Sequence, residues 1–210
     1  MTHLFKPRFL IISLGNPAPY TDTLHSAGHH ALQHLKTLLE PAQPRFERTN
    51  ALGKKPCKAS LGEKYMLAQC PTLMNISGRF VANAWKAVQE AEKDHSNLHL
   101  VVVHDDLEEE LGVVKMRQWS RSPKGHNGIK SIKSSLNEDK YPDAKWSRIS
   151  IGIGRPESRE KDVISKYVLR PMTDHELQTL REKTGQGVLK CLSEWEKELA
   201  KAKPAENAEK

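Results

Sequence analysis

The chain has 210 residues, enough for one domain whose core needs neither disulfides nor a metal. Its 33 Lys and Arg against 26 Asp and Glu give a formal net charge of +7, which favours a polyanionic partner. The longest apolar runs, at 9–12 and 100–103, are far shorter than the roughly 20 residues that span a bilayer, so no membrane segment is predicted.

The first half of the chain alternates strand and helix patterns. Residues 9–14 form an apolar, β-branched run that ends at a Gly-Asn-Pro turn, which predicts a buried strand. Residues 24–39 carry apolar side chains at helical spacing behind two cap candidates. The segment 41–62 shows no clear pattern, whereas 64–70 alternates as a strand and 76–92 is amphipathic as a helix.

The second half continues this alternation. The strongest strand pattern, at 98–103, is followed by an acid-rich loop, and its unbroken apolar run fits the centre of a sheet covered on both faces. Further strands are predicted at 113–117 and 148–153, with a helix over 127–136 between them. Alternating strands and helices indicate an α/β sheet.

A long helix is predicted at the C-terminal end. Thr173 followed by Glu176 has the pattern of a capping box, and helical spacing continues to about residue 199. The charged tail beyond Pro204 is expected to be frayed. The predicted fold is therefore a single α/β domain with a mixed, mostly parallel twisted sheet flanked by helices and a long C-terminal helix.

Polar segments follow the predicted strands, which is where ligands bind in an open α/β sheet. They contain a histidine, a carboxylate and three asparagines: His25, Asp105, Asn16, Asn75 and Asn127. A neutral imidazole can take a proton from water while a carboxylate fixes its tautomer, and Asn side chains can polarise a carbonyl. Because the sequence has no G-x-S-x-G elbow and no cysteine in a motif, we expect water to be the attacking group.

A basic strip runs from Lys115 to Lys133. It holds six Lys or Arg and no acid. Trp119 lies in its middle, and its second half contains a Gly-rich helix start at 124–128. Such a pattern suits a phosphate backbone, and a solvated helix face is the alternative.

Simpler interpretations compete at several of these positions. His25 and His29 have the i, i+4 spacing of a metal pair, but no H-E-x-x-H pattern accompanies them, so no metal is predicted. Asp105 could cap the turn after its strand, and the acids at 105–110 could bind Mg²⁺, although such a run is more often a solvated loop. Met74 is most simply a core residue.

Five motifs resemble the bacterial-type peptidyl-tRNA hydrolase family, in matching order and spacing over about residues 9–170. They are Leu14-Gly15-Asn16-Pro17 with Tyr20 and His25, Pro71-Thr72-x-Met74-Asn75-x-Ser77-Gly78, His104-Asp105-x-Leu107, Gly125-His126-Asn127-Gly128, and Arg148-x-x-Ile151-Gly152-Ile153-Gly154-Arg155-Pro156.

The resemblance implies hydrolysis of the ester that joins a peptide to the terminal ribose of tRNA. His25 would be the general base on water, Asp105 would orient it, and Asn16 would read the blocked amino end of the substrate. Contacts to the peptide and the terminal nucleotide are implied for Tyr20, Leu73, Asn75 and Asn127, with Met74 shaping the pocket wall. The resemblance implies no metal and no organic cofactor.

The chain departs from the family pattern beside the expected base. Ala18 stands where Gly usually follows Asn-Pro, and Leu24 and Ser26 flank His25 where Arg and Asn are usual, which would remove a charge and an amide from the rim of the site. Lys124 replaces a Gly in the loop before the fourth motif.

A second departure concerns the tRNA contact. The family holds the 5′ phosphate of tRNA between two basic side chains, of which Arg117 matches one, while Ser150 occupies the expected place of the other. Arg148 or Lys124 could substitute for it. The tRNA backbone is expected along the basic strip.

By the same resemblance, residues 1–8 would be an N-terminal extension, 9–200 the catalytic domain and 201–210 a flexible charged tail. A cytoplasmic monomer is expected: the three cysteines lack a C-x-x-C pair, which favours a reducing compartment, and a short basic start leaves mitochondrial delivery open. Two other classes stay open, a tRNA-binding protein that has lost the reaction and a generic esterase or amidase for small substrates.

Overall fold

One seven-stranded sheet organises the chain, in the order β2-β3-β4-β1-β5-β7-β6. The structure is a computed structural model that describes residues 6–92, 95–141 and 145–202. Its strands are β1 Arg8–Ser13, β2 Glu47–Thr49, β3 Cys57–Leu61, β4 Tyr65–Gln69, β5 Leu98–Asp106, β6 Val114–Gln118 and β7 Lys145–Gly152. Its helices are α1 Ala27–Leu38, α2 Ser77–Ala91, α3 Asn127–Ser135, α4 Lys161–Leu169 and α5 Asp174–Ala202.

The centre of the sheet is parallel and its edges are antiparallel. Strand β1 pairs in parallel with β4 and β5, and β5 pairs in parallel with β7. The pairs β2–β3, β3–β4 and β6–β7 are antiparallel. The predicted α/β class, mixed sheet and long C-terminal helix are therefore confirmed.

Helices cover both faces of the sheet because the central strands are apolar on both faces. In β1, Phe9 and Ile11 face one side, where α1 and α5 pack, while Leu10 and Ile12 face α2 and α3 on the other. All four side chains are fully buried. Each such side chain contributes roughly 1.5–3 kcal/mol on burial.

Two differences from the expected elements affect the site. The helix predicted from residue 24 starts as a 3-10 turn, Leu24–Ser26, and only then becomes α1. Strand β5 continues through the polar residues to Asp106, because its ladder with β7 carries on as far as the pair of Asp106 and Gly152. Asp105 thus lies within a hydrogen-bonded strand rather than in the loop that follows it.

Other elements were found only in the structure. The hairpin of β2 and β3 lies in the unassigned segment 41–62, and α4 was not predicted. The capping box was predicted correctly: the Glu176 amide donates to Thr173 Oγ1 at 3.2 Å, and Glu176 Oε2 accepts from the Thr173 amide at 2.8 Å.

Strand β1 begins at Arg8, within the predicted extension, while residues 1–5 and 203–210 lie outside the described residues, so the domain boundaries stay a prediction.

The cysteines are free and buried, and burial raises the pKa of the Cys57 thiol to about 11. No helix within the described ranges is long and apolar enough to cross a bilayer.

Candidate active site

A cavity of about 760 Å³ lies at the carboxyl edge of the sheet, where β1, β4 and β5 end side by side. The position agrees with the rule that open α/β sheets bind ligands outside the carboxyl ends of their strands. The structure brings every sequence-predicted site residue to its lining: Asn16, Tyr20, His25, Leu73, Met74, Asn75, Asp105, Arg117, Lys124 and Asn127.

His25 and Asp105 meet in this cavity although 80 residues separate them in sequence. His25 Nδ1 lies 2.9 Å from both carboxylate oxygens of Asp105. The carboxylate can only accept, so Nδ1 carries the hydrogen and donates it. The lone pair of the ring is then on Nε2, and the His25 side chain keeps 12% of its surface exposed at the cavity.

Burial and charge set the protonation of this pair. Burial acts to raise the pKa of the Asp105 carboxyl, but the charges of and hydrogen bonds from His25 and His126 hold it well below its ordinary value. Burial acts to lower the pKa of the His25 imidazole, and the charge and hydrogen bond of Asp105 together outweigh it and raise that pKa above 6.5. Asp105 therefore stays ionised, and the proton on the His25 imidazolium is held more tightly than on a free imidazole.

A second histidine, His126, shares the same carboxylate and was not singled out from the sequence. Its Nδ1 accepts from the amides of Gly128 and Ile129 at 3.1 and 3.3 Å, so the ring caps the N-terminus of α3. This acceptance leaves the hydrogen on Nε2, which donates to Asp105 Oδ1 at 3.0 Å. The histidine directly before a predicted helix start was the signal that could have found it.

His104 completes a group of three imidazoles around Asp105. Its Nδ1 lies 2.7 Å from the Asp105 carbonyl oxygen, and its ring stands edge-on to that of His126 with 4.9 Å between centroids. Burial, with the charge of His126, lowers the pKa of His104 to about 3. His104 is consequently neutral at physiological pH and does not compete for a proton with His25.

Ser26 fixes the loop that carries Asn16. Ser26 Oγ accepts from the Asn16 amide at 3.0 Å and donates to the Tyr20 carbonyl at 2.7 Å. Leu24 and Ser26 are both fully buried, so neither side chain lies at the rim of the site. The 3-10 turn points these two side chains into the protein and leaves only His25 between them at the cavity.

Asn16 connects the loops after β1 and β4. Its Oδ1 accepts from the Met74 amide at 2.9 Å, which leaves the Nδ2 hydrogens as its remaining donors. Met74 is buried, as the core interpretation expected. A Cβ added to Gly128 would lie 2.5 Å from Met74 Sδ, so this glycine permits the close approach of α3.

The outer part of the cavity is partly apolar. Tyr20 and Leu73 are 39% and 49% exposed, and Asn75 and Asn127 are also exposed at its mouth. The unpredicted helix α4 supplies apolar lining through Ile164, Val168 and Leu169. This mouth offers amide groups and apolar surface to a ligand that enters it.

The basic strip is neutralised at one end. Arg117 pairs with Glu109 and with Asp106, the latter at 3.3 Å, and its Nε donates to Ser150 Oγ at 3.0 Å. Lys115 also pairs with Glu109, at 2.6 Å. The acid run after β5 thus forms ion pairs with the strip, and Arg117 points at carboxylates of the chain itself.

The free positive charge of the strip lies further along. Within the described ranges, Arg121, Lys124 and Lys130 form no ion pair and are exposed. Arg148, by contrast, is buried and donates to the carbonyls of Gln118 and Arg121 at 3.3 and 2.8 Å. The structure therefore favours Lys124 over Arg148 as a substitute phosphate contact.

Trp119 does not take the place expected of it. The sequence suggested an aromatic side chain within the basic strip that suits a phosphate backbone, but Trp119 is only 6% exposed. It packs on Trp146, with 5.2 Å between ring centroids. Trp119 belongs to the apolar core on the α2 and α3 face of the sheet, so its ring is not available to stack on a base.

Lys124 adopts a backbone conformation that favours glycine. Its φ is +46°, and among the described residues it is the single non-glycine residue with a positive φ. A side chain in this region costs of order 1 kcal/mol or more. The departure from the family glycine therefore adds a cation to the cavity rim at the expense of local backbone strain.

We expect two substitutions of Lys124 to separate charge from strain. Lys124→Gly should raise the free energy of unfolding by up to about 1 kcal/mol over Lys124→Ala, because glycine tolerates the positive φ and alanine does not. Both remove the same charge. Urea denaturation of the two variants measures the difference, and equal stabilities would show that the loop stores no strain.

One group of side chains in the described ranges could hold a metal. A ligand atom from each of His25, Asp105 and His126 lies within 4.8 Å of the others. These atoms are already joined by the hydrogen bonds described above. The histidine pair considered from the sequence is not this group, because His29 Nδ1 instead lies 2.8 Å from Ser13 Oγ.

Comparisons with known proteins agree with this geometry. A family model described as peptidyl-tRNA hydrolase matches residues 10–210. The peptidyl-tRNA hydrolase of Desulfitobacterium hafniense is 35% identical over 191 residues, covering 90% of this chain and 93% of that protein. The Saccharomyces cerevisiae peptidyl-tRNA hydrolase is 31% identical over 194 residues, covering 90% and 97%.

A solved structure shows the same fold. The crystal structure of peptidyl-tRNA hydrolase from Acinetobacter baumannii superposes with a TM-score of 0.64 at 24% identity, covering 95% of this chain and 96% of that one. The family model and the relatives confirm the family that the five motifs resemble. The chain belongs to the peptidyl-tRNA hydrolase family.

Proposed function

We propose that this enzyme hydrolyses the ester bond of peptidyl-tRNA and releases free peptide and reusable tRNA. The observation that carries the proposal is the hydrogen bond of His25 to the buried Asp105 carboxylate at the wall of an open cavity. Membership of the family supplies the substrate class. The geometry supplies a general base, which typically contributes about 10²–10⁴-fold to a rate.

The reaction follows from the free lone pair of His25. A water molecule at Nε2 gives its proton to the ring while its oxygen attacks the carbonyl carbon of the ester. Asp105 accepts the hydrogen bond from Nδ1 throughout, without taking the proton, and stabilises the imidazolium that forms. When the ester bond to the ribose oxygen breaks, the imidazolium returns its proton to that oxygen, and the ribose hydroxyl leaves.

The asparagines and the mouth of the cavity position the substrate. Asn16 keeps free Nδ2 hydrogens, which suit the carbonyl of a blocked amino end. Asn75 and Asn127 are exposed for contacts to the peptide and the terminal nucleotide, and Tyr20 and Leu73 offer apolar surface. Met74 shapes the wall beneath them.

The proposed tRNA contact uses the free cations of the strip, with Lys124 foremost. Arg117 can contact a phosphate only if that phosphate displaces Glu109, because Arg117 and Glu109 form an ion pair. No metal or organic cofactor enters the proposed reaction. We propose that the enzyme acts as a monomer in the cytoplasm, because the proposed reaction needs no group beyond those that line the cavity and the three free cysteines suit a reducing compartment.

Removal of two cations should weaken binding of the RNA more than catalysis. For the double variant Arg117→Ala with Lys124→Ala, we expect the KM for full-length peptidyl-tRNA to rise about 3–10-fold, and the salt dependence of kcat/KM to weaken, because phosphate contacts are lost. A short blocked aminoacyl-nucleotide should show a much smaller change. Equal changes for both substrates would contradict the phosphate role.

The function itself is tested by peptide release. Purified enzyme is given one tRNA carrying either an N-blocked or an unblocked aminoacyl group. We expect release from the blocked form at a rate at least tenfold higher, because the asparagines around His25 suit an amide rather than an ammonium group. Similar rates on both would favour the generic esterase, and binding without release would favour the tRNA-binding protein.

A further inference from the structure

A second group of exposed cations lies at the edge of the sheet opposite to β6, the strand in which the strip begins. It is formed by the β2–β3 hairpin and the start of α2, and we call it the hairpin surface. Its five exposed cations are Arg48, Lys54, Lys55, Lys58 and Arg79. Within the described residues none of the five forms an ion pair, whereas Arg45 and Glu47 of the same hairpin pair with each other at 3.0 Å. The surface therefore carries a local excess of positive charge.

The turn of the hairpin packs beside α2, whereas Arg48 and Lys58 pair across β2 and β3 on the other face of the hairpin, away from the buried Cys57 and Ala59 that pack with α2. The turn of the hairpin closes at Gly53, whose amide donates to the Asn50 carbonyl at 3.0 Å and whose φ is +127°. A Cβ built on Gly53 would lie 3.5 Å from Asn83 Cβ on α2. Asn83 is four residues beyond Arg79, so both lie on the same face of that helix. Lys54 and Lys55 consequently follow a turn that packs beside Arg79.

The hairpin surface also reaches the edge of the sheet that bears the active site. Strand β4 runs parallel to β1 and β3 runs antiparallel to β4, so the turn that leads into β3, with Lys54 and Lys55, lies at the carboxyl end of β4. Cys70 donates its amide to the Ser13 carbonyl at 3.0 Å, which places it at the carboxyl end of β1. Three strand spacings separate β3 from β5, which bears Asp105, and these amount to about 14 Å.

The chemistry of the surface fits a phosphate backbone. Residues 47–58 contain one acid, which is paired, and the exposed apolar side chains nearest to them, Leu61 at the far end of β3 and Ile76 before α2, lie outside this cationic segment. A protein partner would be expected to find an aromatic or aliphatic anchor at the centre of its interface. Several separated cations without such an anchor are typical of contacts that position a nucleic acid backbone.

We propose that the hairpin surface is a second RNA-binding surface, which holds the phosphate backbone of the tRNA substrate beside the cavity and adds to the contacts of the strip. The inference rests on the proposed function, because it takes the RNA of that substrate as the ligand. Arg79 follows Gly78, whose amide donates to Ser131 Oγ in the strip at 3.0 Å, so the two basic surfaces adjoin where α2 meets α3.

The test is binding of deacylated tRNA, followed by fluorescence anisotropy over a range of salt concentrations. The variant replaces Lys54, Lys55 and Lys58 by alanine together, and the matched control replaces Lys190, Lys197 and Lys201 of α5, which removes the same charge elsewhere. All six are exposed. We expect the Kd of the hairpin variant to rise about 10-fold at 0.1 M salt, with the slope of log K against log salt smaller by about two.

The control variant should change the Kd by less than twofold. Equal Kd changes in the two variants would mean that only the net charge of the protein matters, and this would overturn the proposal. An unchanged Kd in the hairpin variant would overturn it as well. Unchanged melting temperatures in both variants exclude misfolding as the cause.

Peptide release then separates this proposal from the function on which it rests. The loss of kcat/KM in the hairpin variant should be at least fivefold larger for full-length peptidyl-tRNA than for a short nucleotide substrate. If wild-type enzyme releases no peptide from either substrate, the proposed function fails while the binding result stands. The same tRNA can also carry peptides with different numbers of acidic residues. If the loss of kcat/KM in the hairpin variant grows with the number of acidic residues, the surface binds the peptide, and the RNA assignment is overturned.

Discussion

Replacement of His25 by alanine is expected to lower the turnover number for peptidyl-tRNA by about 10²–10⁴-fold, because it removes the acceptor of the water proton. The KM should change little, since His25 provides one uncharged side chain among many cavity residues. Steady-state release of peptide from N-blocked aminoacyl-tRNA measures both. The control is His175→Ala, an exposed histidine on α5 that should leave turnover unaltered. A His25 variant with wild-type turnover would remove this residue from the mechanism.

Asp105→Asn is expected to lower turnover by at least about 100-fold while the chain stays folded. The asparagine side chain carries no charge and one end of its amide is a donor, so it cannot replace the two acceptor oxygens that the carboxylate presents to His25. The ring of His25 then loses the partner that fixes its tautomer and stabilises its charged form. Single-turnover peptide release measures the loss.

A double variant checks that the two residues act as one unit. With His25 already replaced by alanine, Asp105→Asn should cost far less than it does in the wild type, since the carboxylate works through the imidazole. If the fold-loss of turnover in the double variant equalled the product of the two single losses, Asp105 would act on the substrate independently of His25.

The centre of the fold could be predicted because its sequence signals are local. The apolar runs of β1 and β5 have no alternative to burial on both faces, and the helical spacing in α2 allows one buried stripe. Once the strands are parallel, their carboxyl ends share an edge. Because Asn16, His25 and Asp105 all follow or end such strands, the sequence alone is enough to expect that they meet.

Elements whose stability comes from distant contacts were not predictable in the same way. Strand β2 has three residues with no buried side chain, so pairing with β3 creates it rather than its own composition. Strand β5 continues through polar residues because β7 supplies hydrogen bonds to them. Val168 is the one buried residue of helix α4, which therefore leaves a weak apolar pattern.

The details of the site depend on tertiary contacts that no motif reveals. His126 was visible in its motif, but its link to Asp105 arises from the meeting of α3 with β5. The ion pair of Arg117 with Glu109 joins residues eight apart across the loop between β5 and β6. The burial of Ser26 follows from its 3-10 turn, which replaces the regular helix that the sequence predicted.

The pH dependence of kcat/KM for wild type and Asp105→Asn tests the central claim, that the buried carboxylate makes His25 the base. Activity requires the neutral imidazole, so the rate should rise with pH through the pKa of His25. In the wild type the acidic limb should have its midpoint above 6.5, because Asp105 raises that pKa. In the variant only burial remains, and the midpoint should fall below 6.5. The same midpoint in both proteins would contradict the claim.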